Sequence, residues 1–156
     1  MKDRLAALAV SCLGLGFAPI APGTFGTLGG LAVAWALPER WDFRLAALGA
    51  AILVFLAGWP LGNWAERRYG RKDPGVFVLD EVVGYLVAVI PVWPAGRPGL
   101  GALVFAFFAF RVFDVLKPPP ADRLERLPGG LGIMLDDVMA GLYTNAILSL
   151  ARLLWR

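Results

Sequence analysis

Long stretches without a charged residue constrain the fold of this chain more than any other feature of its sequence. Five of them follow one another, at residues 5–38, 45–65, 82–96, 98–110 and 138–151. Hydrophobic residues make up 58% of the chain and charged residues 17%, against roughly 45–50% and about 25% in soluble domains. A surface that faces lipid needs fewer charges than one that faces water, so the composition predicts a membrane protein.

The same stretches predict an all-α fold. A helix needs about 20 apolar residues to cross the hydrocarbon core, and only residues 45–65 meet that length as one helix. Prolines and glycine at residues 19–23 divide the first stretch into helices near 5–18 and 25–37. The three remaining stretches fit tilted spans, re-entrant segments or helices buried within the protein. No segment sustains the alternation typical of a β-strand, so we expect helices throughout. The expected fold is one domain over residues 1–156, a compact bundle of about six helices with several embedded in the membrane.

The N-terminus imitates a signal peptide, because Lys2 and Arg4 precede an apolar run. This run is short, and the glycine- and proline-rich segment that follows has the character of functional sequence. We therefore expect the segment to be retained.

Residue types that the chain lacks exclude several kinds of catalysis. It has no histidine, which excludes histidine-dependent phosphatases, serine-histidine hydrolases and histidine-ligated zinc. Cys12 is the single cysteine, and no arginine follows it six residues later as in the cysteine phosphatases. The net charge is +3 without a basic stripe, which gives no support for nucleic-acid binding. The chemistry that remains is that of carboxylates.

Five acidic residues stand at the ends of apolar segments and are the candidate metal ligands. They are Asp80, Glu81, Asp114, Asp136 and Asp137. A carboxylate in the first turn of a helix is also explained as a cap, but a cap needs only one acid and two adjacent acids repel. Two such pairs predict a cation between them. Oxygen ligands without histidine or thiolate favour Mg²⁺, an ion that suits phosphoryl transfer.

Each acidic pair opens a similar segment, with a small residue one helical turn later. Gly84 follows Asp80 by four residues, and Gly141 follows Asp137 by the same interval. Small residues let two helices approach closely. We expect these two helices to cross with their acidic ends together.

Three charged residues share a predicted helix face before Pro118. Arg111, Asp114 and Lys117 follow one another at intervals of three. A salt-bridged structural face is one interpretation. In the functional one, Asp114 helps to hold the metal while Arg111 or Lys117 contacts phosphate oxygens.

Two glycine-rich segments are further candidates for phosphate binding through backbone N–H groups. The first is the turn at residues 19–23, which leads into a helix with Thr24 as its predicted N-cap. The second contains Gly129 and Gly130, just before the second acidic pair. An ordinary capped helix after a loop would show a similar pattern.

Taken together, four segments resemble the phosphatidylglycerophosphatase A family. They are residues 14–28, 80–84, 110–114 with 117–118, and 129–141, which reads GGLGIMLDDVMAG. The resemblance implies a phosphoric monoester hydrolase that converts phosphatidylglycerophosphate to phosphatidylglycerol and phosphate with Mg²⁺ at the bacterial inner membrane. It also implies a helical fold with one central helix. The catalytic residues would then be Asp80, Asp114, Asp136, Asp137 and Lys117.

Two alternatives keep the carboxylates but change their purpose. A small multi-pass carrier could bind Mg²⁺ in transit, although it gives no role to Arg111 or Lys117. A phosphatase of a soluble phosphate ester is compatible with the short apolar segments. Phosphate release from the lipid and from a soluble ester distinguishes these alternatives.

Counting membrane crossings predicts a topology. If every apolar helix crosses, all candidate site segments lie on one face of the membrane. We expect this face to be cytoplasmic, because the basic cluster at residues 67–72 follows the full-length span and because the family's substrate is made there.

Overall fold

The computed structural model describes residues 2–90 and 98–154, and within these ranges it forms helices, turns and loops without a strand. The α-helices are α1 (Lys2–Val10), α2 (Pro22–Ala36), α3 (Phe43–Tyr69), α4 (Leu79–Val89), α5 (Leu100–Leu116), α6 (Ala121–Leu124) and α7 (Gly130–Leu154), with a 3₁₀ turn at Leu15–Phe17. The predicted all-α class is confirmed.

The short helix α4 lies at the centre of the bundle. Helices α2, α3, α5 and α7 pack around it, and its side chains from Val82 to Leu86 are buried. Its 11 residues extend for about 16 Å, too short for a hydrocarbon core of about 30 Å. In the described part of the chain this segment is therefore a buried helix and not a span. Its predicted continuation to residue 96 lies outside the described residues.

Of the helices in the described ranges, α3 and α7 are long and apolar enough to cross a membrane. The two differ in their surroundings: 22% of the most apolar stretch of α3 is buried within the protein, against 56% for α7. The outer side of α3 exposes Leu45, Ile52, Leu53 and Leu56. Helix α7 is in larger part a core helix, whereas α3 presents an apolar stripe to its surroundings.

The ends of α3 follow from local sequence. The Asp42 carboxylate accepts hydrogen bonds from the N–H groups of Arg44 (2.9 Å) and Leu45 (3.2 Å) and so caps the N-terminus. Gly70 closes the C-terminus with a φ of 67°, the left-handed conformation that glycine adopts without strain.

Two predicted boundaries near the N-terminus are wrong. Helix α1 ends at Val10 and not near residue 18, because the backbone turns at Cys12 and Leu13, both with positive φ. Helix α2 begins at Pro22, with Ala21 as its N-cap, and proline suits the first helical position. Thr24 therefore lies inside the first turn of α2 and is not its N-cap.

Helix α7 begins earlier than predicted, at Gly130. The Asn63 Oδ1 atom of α3 accepts a hydrogen bond from the Gly130 N–H at 2.8 Å and so caps α7 from a neighbouring helix. Asp136 and Asp137 consequently lie well inside α7. The interpretation of either as a cap of this helix is wrong.

Candidate active site

Helices α4 and α7 cross where two glycines meet. A Cβ at Gly84 would lie 2.6 Å from the carbonyl oxygen of Asp137, and a Cβ at Gly141 would collide with the carbonyl of Gly84. Both positions therefore require glycine for this close approach. The predicted crossing is confirmed, and it brings the acidic pair of α4 beside Asp137.

Three carboxylates meet at this crossing. One oxygen from each of Asp80, Glu81 and Asp137 lies within 4.8 Å of the other two. Oxygen ligands at 2.0–2.1 Å from one Mg²⁺ lie up to about 4 Å apart, so a small adjustment would place all three around one ion. Asp80 and Asp137 are only 6% and 3% exposed. The cluster could hold a metal ion.

Each member of the cluster has an oxygen in need of a partner. Asp80 Oδ1, Glu81 Oε2 and Asp137 Oδ2 are buried and accept no hydrogen bond from the described residues. The N-cap residue of α4 is Val78, whose side chain makes no capping hydrogen bond, and Asp80 and Glu81 follow in the first turn. A buried oxygen without a partner is costly. A cation bound among these three carboxylates would offset that cost.

Burial also changes the acidity of the α4 pair. It raises the pKa of Asp80 well above its usual range, and the neighbouring Glu81 charge raises it further. Burial likewise raises the pKa of Glu81 to about 7. A positive charge placed between these carboxylates would favour their ionised forms.

Arg111 and the start of α2 flank the cluster. The Arg111 guanidinium forms an ion pair with Asp114 one turn further along α5. A Cβ at Gly23 would lie 3.1 Å from Arg111 Nη1 and would collide with the Glu81 carboxylate. The glycine therefore allows the first turn of α2 to contact both charged groups. Thr24 follows in the same turn.

Asp114 lies close to the cluster although its ion pair is with Arg111. Its charge raises the pKa of Glu81, whose shift is due first to burial. Asp114 is thus a fourth carboxylate near the candidate metal ligands.

Lys117 pairs with carboxylates outside the cluster. Its Nζ lies 2.7 Å from Asp136 Oδ2 and 3.1 Å from Glu125 Oε1. Burial lowers the pKa of Lys117, but its hydrogen bonds and charge attraction with Asp136 and Glu125 outweigh burial and raise it overall. The three charged residues that were predicted to share a face of α5 therefore have different partners. Arg111 pairs with Asp114, and Lys117 pairs with Asp136 of α7.

Asp73 lies near Lys117 and was not among the predicted residues. It lies in the loop between α3 and α4 with a φ of 44°. Burial raises its pKa, and the nearby Lys117 charge opposes that rise. Because Asp73 lies in a loop, helical periodicity does not predict which residues it faces. The single signal in the sequence is an acidic residue directly before Pro74 and Gly75.

Gly129 and Gly130 lie against α3, away from the cluster. A Cβ at Gly130 would lie 2.9 Å from the Cα of Gly62, so packing alone explains this glycine. Seven residues separate it from Asp137, or about 10 Å along the helix. A role for these two glycines in phosphate binding stays a prediction.

Comparison with known proteins agrees with this geometry. The family model for phosphatidylglycerophosphatase A matches residues 8–152. The chain belongs to this family. Membership makes it a phosphoric monoester hydrolase, the class that the sequence predicts.

Three similar proteins span most of the chain. A Bacteroides thetaiotaomicron protein provisionally named phosphatidylinositol-3-phosphatase is 37% identical over 89% of this chain and 88% of its own length. The phosphatidylglycerophosphatase A of Haemophilus influenzae is 36% identical over 83% of this chain and 78% of its own. The phosphatidylglycerophosphatase A of Escherichia coli is 32% identical over 86% of this chain and 76% of its own length. No solved structure matches the chain significantly.

Proposed function

We propose that this chain is a Mg²⁺-dependent lipid phosphatase that hydrolyses phosphatidylglycerophosphate to phosphatidylglycerol and phosphate. The observation that carries the proposal is the cluster of three carboxylates beside the Arg111 guanidinium, each with one buried oxygen that has no partner among the described residues. Such a site attracts a divalent cation on one side and a phosphate group on the other.

Asp80, Glu81 and Asp137 are the residues that would hold the metal. Their donor set consists of oxygen alone, which suits Mg²⁺, and three protein ligands leave coordination positions for water and substrate phosphate. When bound, the ion neutralises phosphate charge and makes water more acidic. Glu81 is the more exposed member of the cluster, so it faces the direction from which substrate arrives.

The residues around the cluster supply the phosphate-binding groups. Arg111 donates charge-assisted hydrogen bonds to phosphate oxygens, and Asp114 holds its guanidinium in place. In the first turn of α2, the Gly23 N–H and the Thr24 hydroxyl would contact a phosphate oxygen, whereas the Thr24 N–H donates to the Ala21 carbonyl at 2.9 Å. In the reaction a water oxygen forms the new bond to phosphorus, the ester P–O bond breaks, and a proton ends on the released glycerol hydroxyl.

The apolar stripe of α3 supports an association with lipid. Its exposed leucines would contact acyl chains, so that the head group of a membrane lipid reaches the site at the membrane surface. We place the protein in the bacterial inner membrane as a multi-pass protein, with the site on the cytoplasmic side. Residues 1–156 act as a single domain of this family.

The name of the Bacteroides relative supports a second lipid substrate, phosphatidylinositol 3-phosphate. Both lipids carry a phosphate monoester on a polyhydroxylated head group, so the metal cluster and Arg111 suit either. The two head groups differ in size. Contacts with the part of the head group outside the phosphate would therefore select one lipid over the other.

Phosphate release from purified protein in detergent tests the proposal. We expect Mg²⁺-dependent release from phosphatidylglycerophosphate, slower release from phosphatidylinositol 3-phosphate and very little from glycerol 3-phosphate. Asp137→Asn is the matched inactive control. Equal turnover of glycerol 3-phosphate would favour a phosphatase of soluble esters, and metal binding without any phosphate release would favour the Mg²⁺ carrier.

A further inference from the structure

A second group of carboxylates lies next to the candidate metal ligands and already contains a cation. Lys117 Nζ lies 2.7 Å from Asp136 Oδ2 and 3.1 Å from Glu125 Oε1. Asp73 is close enough for its charge and that of Lys117 to influence each other. One ammonium group thus pairs with two carboxylates beside the candidate metal ligands.

The fold fixes the position of this ammonium group. Lys117 terminates α5 in the left-handed conformation, with a φ of 44°. The chain after it is held against α7, because the Tyr143 hydroxyl donates a hydrogen bond to the carbonyl of Pro119 at 2.9 Å. Lys72 donates to the carbonyl of Glu125 and so ties that residue to the loop before α4. Lys117 is therefore a built part of the site and not a surface lysine.

Both oxygens of Asp136 already accept hydrogen bonds. Its Oδ1 accepts from the Asp137 N–H at 3.0 Å, and its Oδ2 accepts from Lys117. Adjacent residues on a helix point about 100° apart, so Asp136 faces Lys117 while Asp137 faces α4. The two neighbouring aspartates consequently have different partners.

We propose that Lys117 occupies the position of a second cation, so that each chain binds one divalent metal ion through Asp80, Glu81 and Asp137. Two-metal phosphatases place their ions about 3.5–4 Å apart between shared carboxylates. Here Lys117 neutralises the carboxylates that a second ion would need. Lys117 is then a positioning residue, because it keeps Asp136 away from the metal. The inference rests on the proposed function only in that the site binds a metal.

Counting bound ions tests this without substrate. The full chain in detergent is titrated with Mn²⁺, and the free ion is measured by electron paramagnetic resonance. We expect one ion per wild-type chain and one per Asp136→Asn chain. Asp137→Asn should lower Mn²⁺ affinity by more than about 100-fold, beyond the 10–100-fold range typical of residues outside the ligand set.

The lysine variants give the decisive readout. Lys117→Met leaves Asp136 and Glu125 without the ammonium group that pairs with them and should gain a second, weaker Mn²⁺ site, whereas Lys117→Arg should keep a single one. Two ions in the wild type would overturn the proposal. Loss of the ion in Asp136→Asn, or a folded Lys117→Met chain that still binds one ion, would overturn it as well. Failure of phosphate release alone would affect only the proposed function, because ion counting needs no turnover.

Discussion

Gly84 of α4 and Gly141 of α7 are in direct contact, because a Cβ at Gly141 would collide with the Gly84 carbonyl oxygen. This contact sets the distance between the two helices, and with it the separation of Asp80 and Asp137. The geometry of the carboxylate cluster therefore depends on two glycines, which have no side chain.

Gly141→Ala should lower both stability and metal binding. The added methyl group meets backbone and not a flexible side chain, so the helices must separate, at a cost of about 1–3 kcal/mol. Thermal unfolding in detergent followed by circular dichroism measures this loss. Gly49→Ala is the matched control, since the described structure has no atom within 4 Å of an added Cβ there. Equal melting temperatures for the two variants would contradict the contact.

Mg²⁺ should stabilise the protein as well as activate it. A cation that binds the buried carboxylates of the folded state alone raises the melting temperature, and the rise grows with the logarithm of its concentration above the dissociation constant. EDTA should abolish phosphate release and lower the melting temperature, and added Mg²⁺ should restore both. Asp137→Asn should show neither response. Full turnover in excess EDTA would remove the metal from the mechanism.

Arg111→Gln should impair catalysis without loss of the metal. We expect kcat/KM to fall roughly 10- to 100-fold, since a hydrogen bond to a charged group contributes about 1.5–3 kcal/mol. Mn²⁺ binding should persist, because Arg111 is not among the ligands. Arg44→Gln removes a surface arginine paired with Asp42 and should leave kcat/KM unchanged. A normal kcat/KM in Arg111→Gln would show that phosphate binds elsewhere.

Membrane topology can be tested with single cysteines in a Cys12→Ser background. Ile20, Arg68 and Arg123 are exposed and lie near the three segments that supply the site. With the site on the cytoplasmic side, all three cysteines should react with a membrane-impermeant thiol reagent only after the cells are permeabilised. Reaction of one of them in intact cells, at matched expression, would show that the segments lie on different faces.

The sequence by itself predicted the helical class and the crossing of α4 with α7, and it singled out the carboxylates of the candidate site. These conclusions depend on local patterns. Apolar stretches of helical length leave no alternative secondary structure, and the absence of histidine removes competing mechanisms. The regular interval from each acid to its glycine is readable because it is one helical turn.

Only the tertiary structure decided which acids lie together. Asp136 and Asp137 are equivalent in sequence, yet α7 turns one toward Lys117 and the other toward Asp80. The same applies to the start of α7, which is capped by Asn63 from α3, and to Asp73, which a loop brings beside Lys117. In each case the partner is distant in the chain. The position of the partner follows from how the helices pack. A local sequence pattern does not show which distant residue will lie nearby.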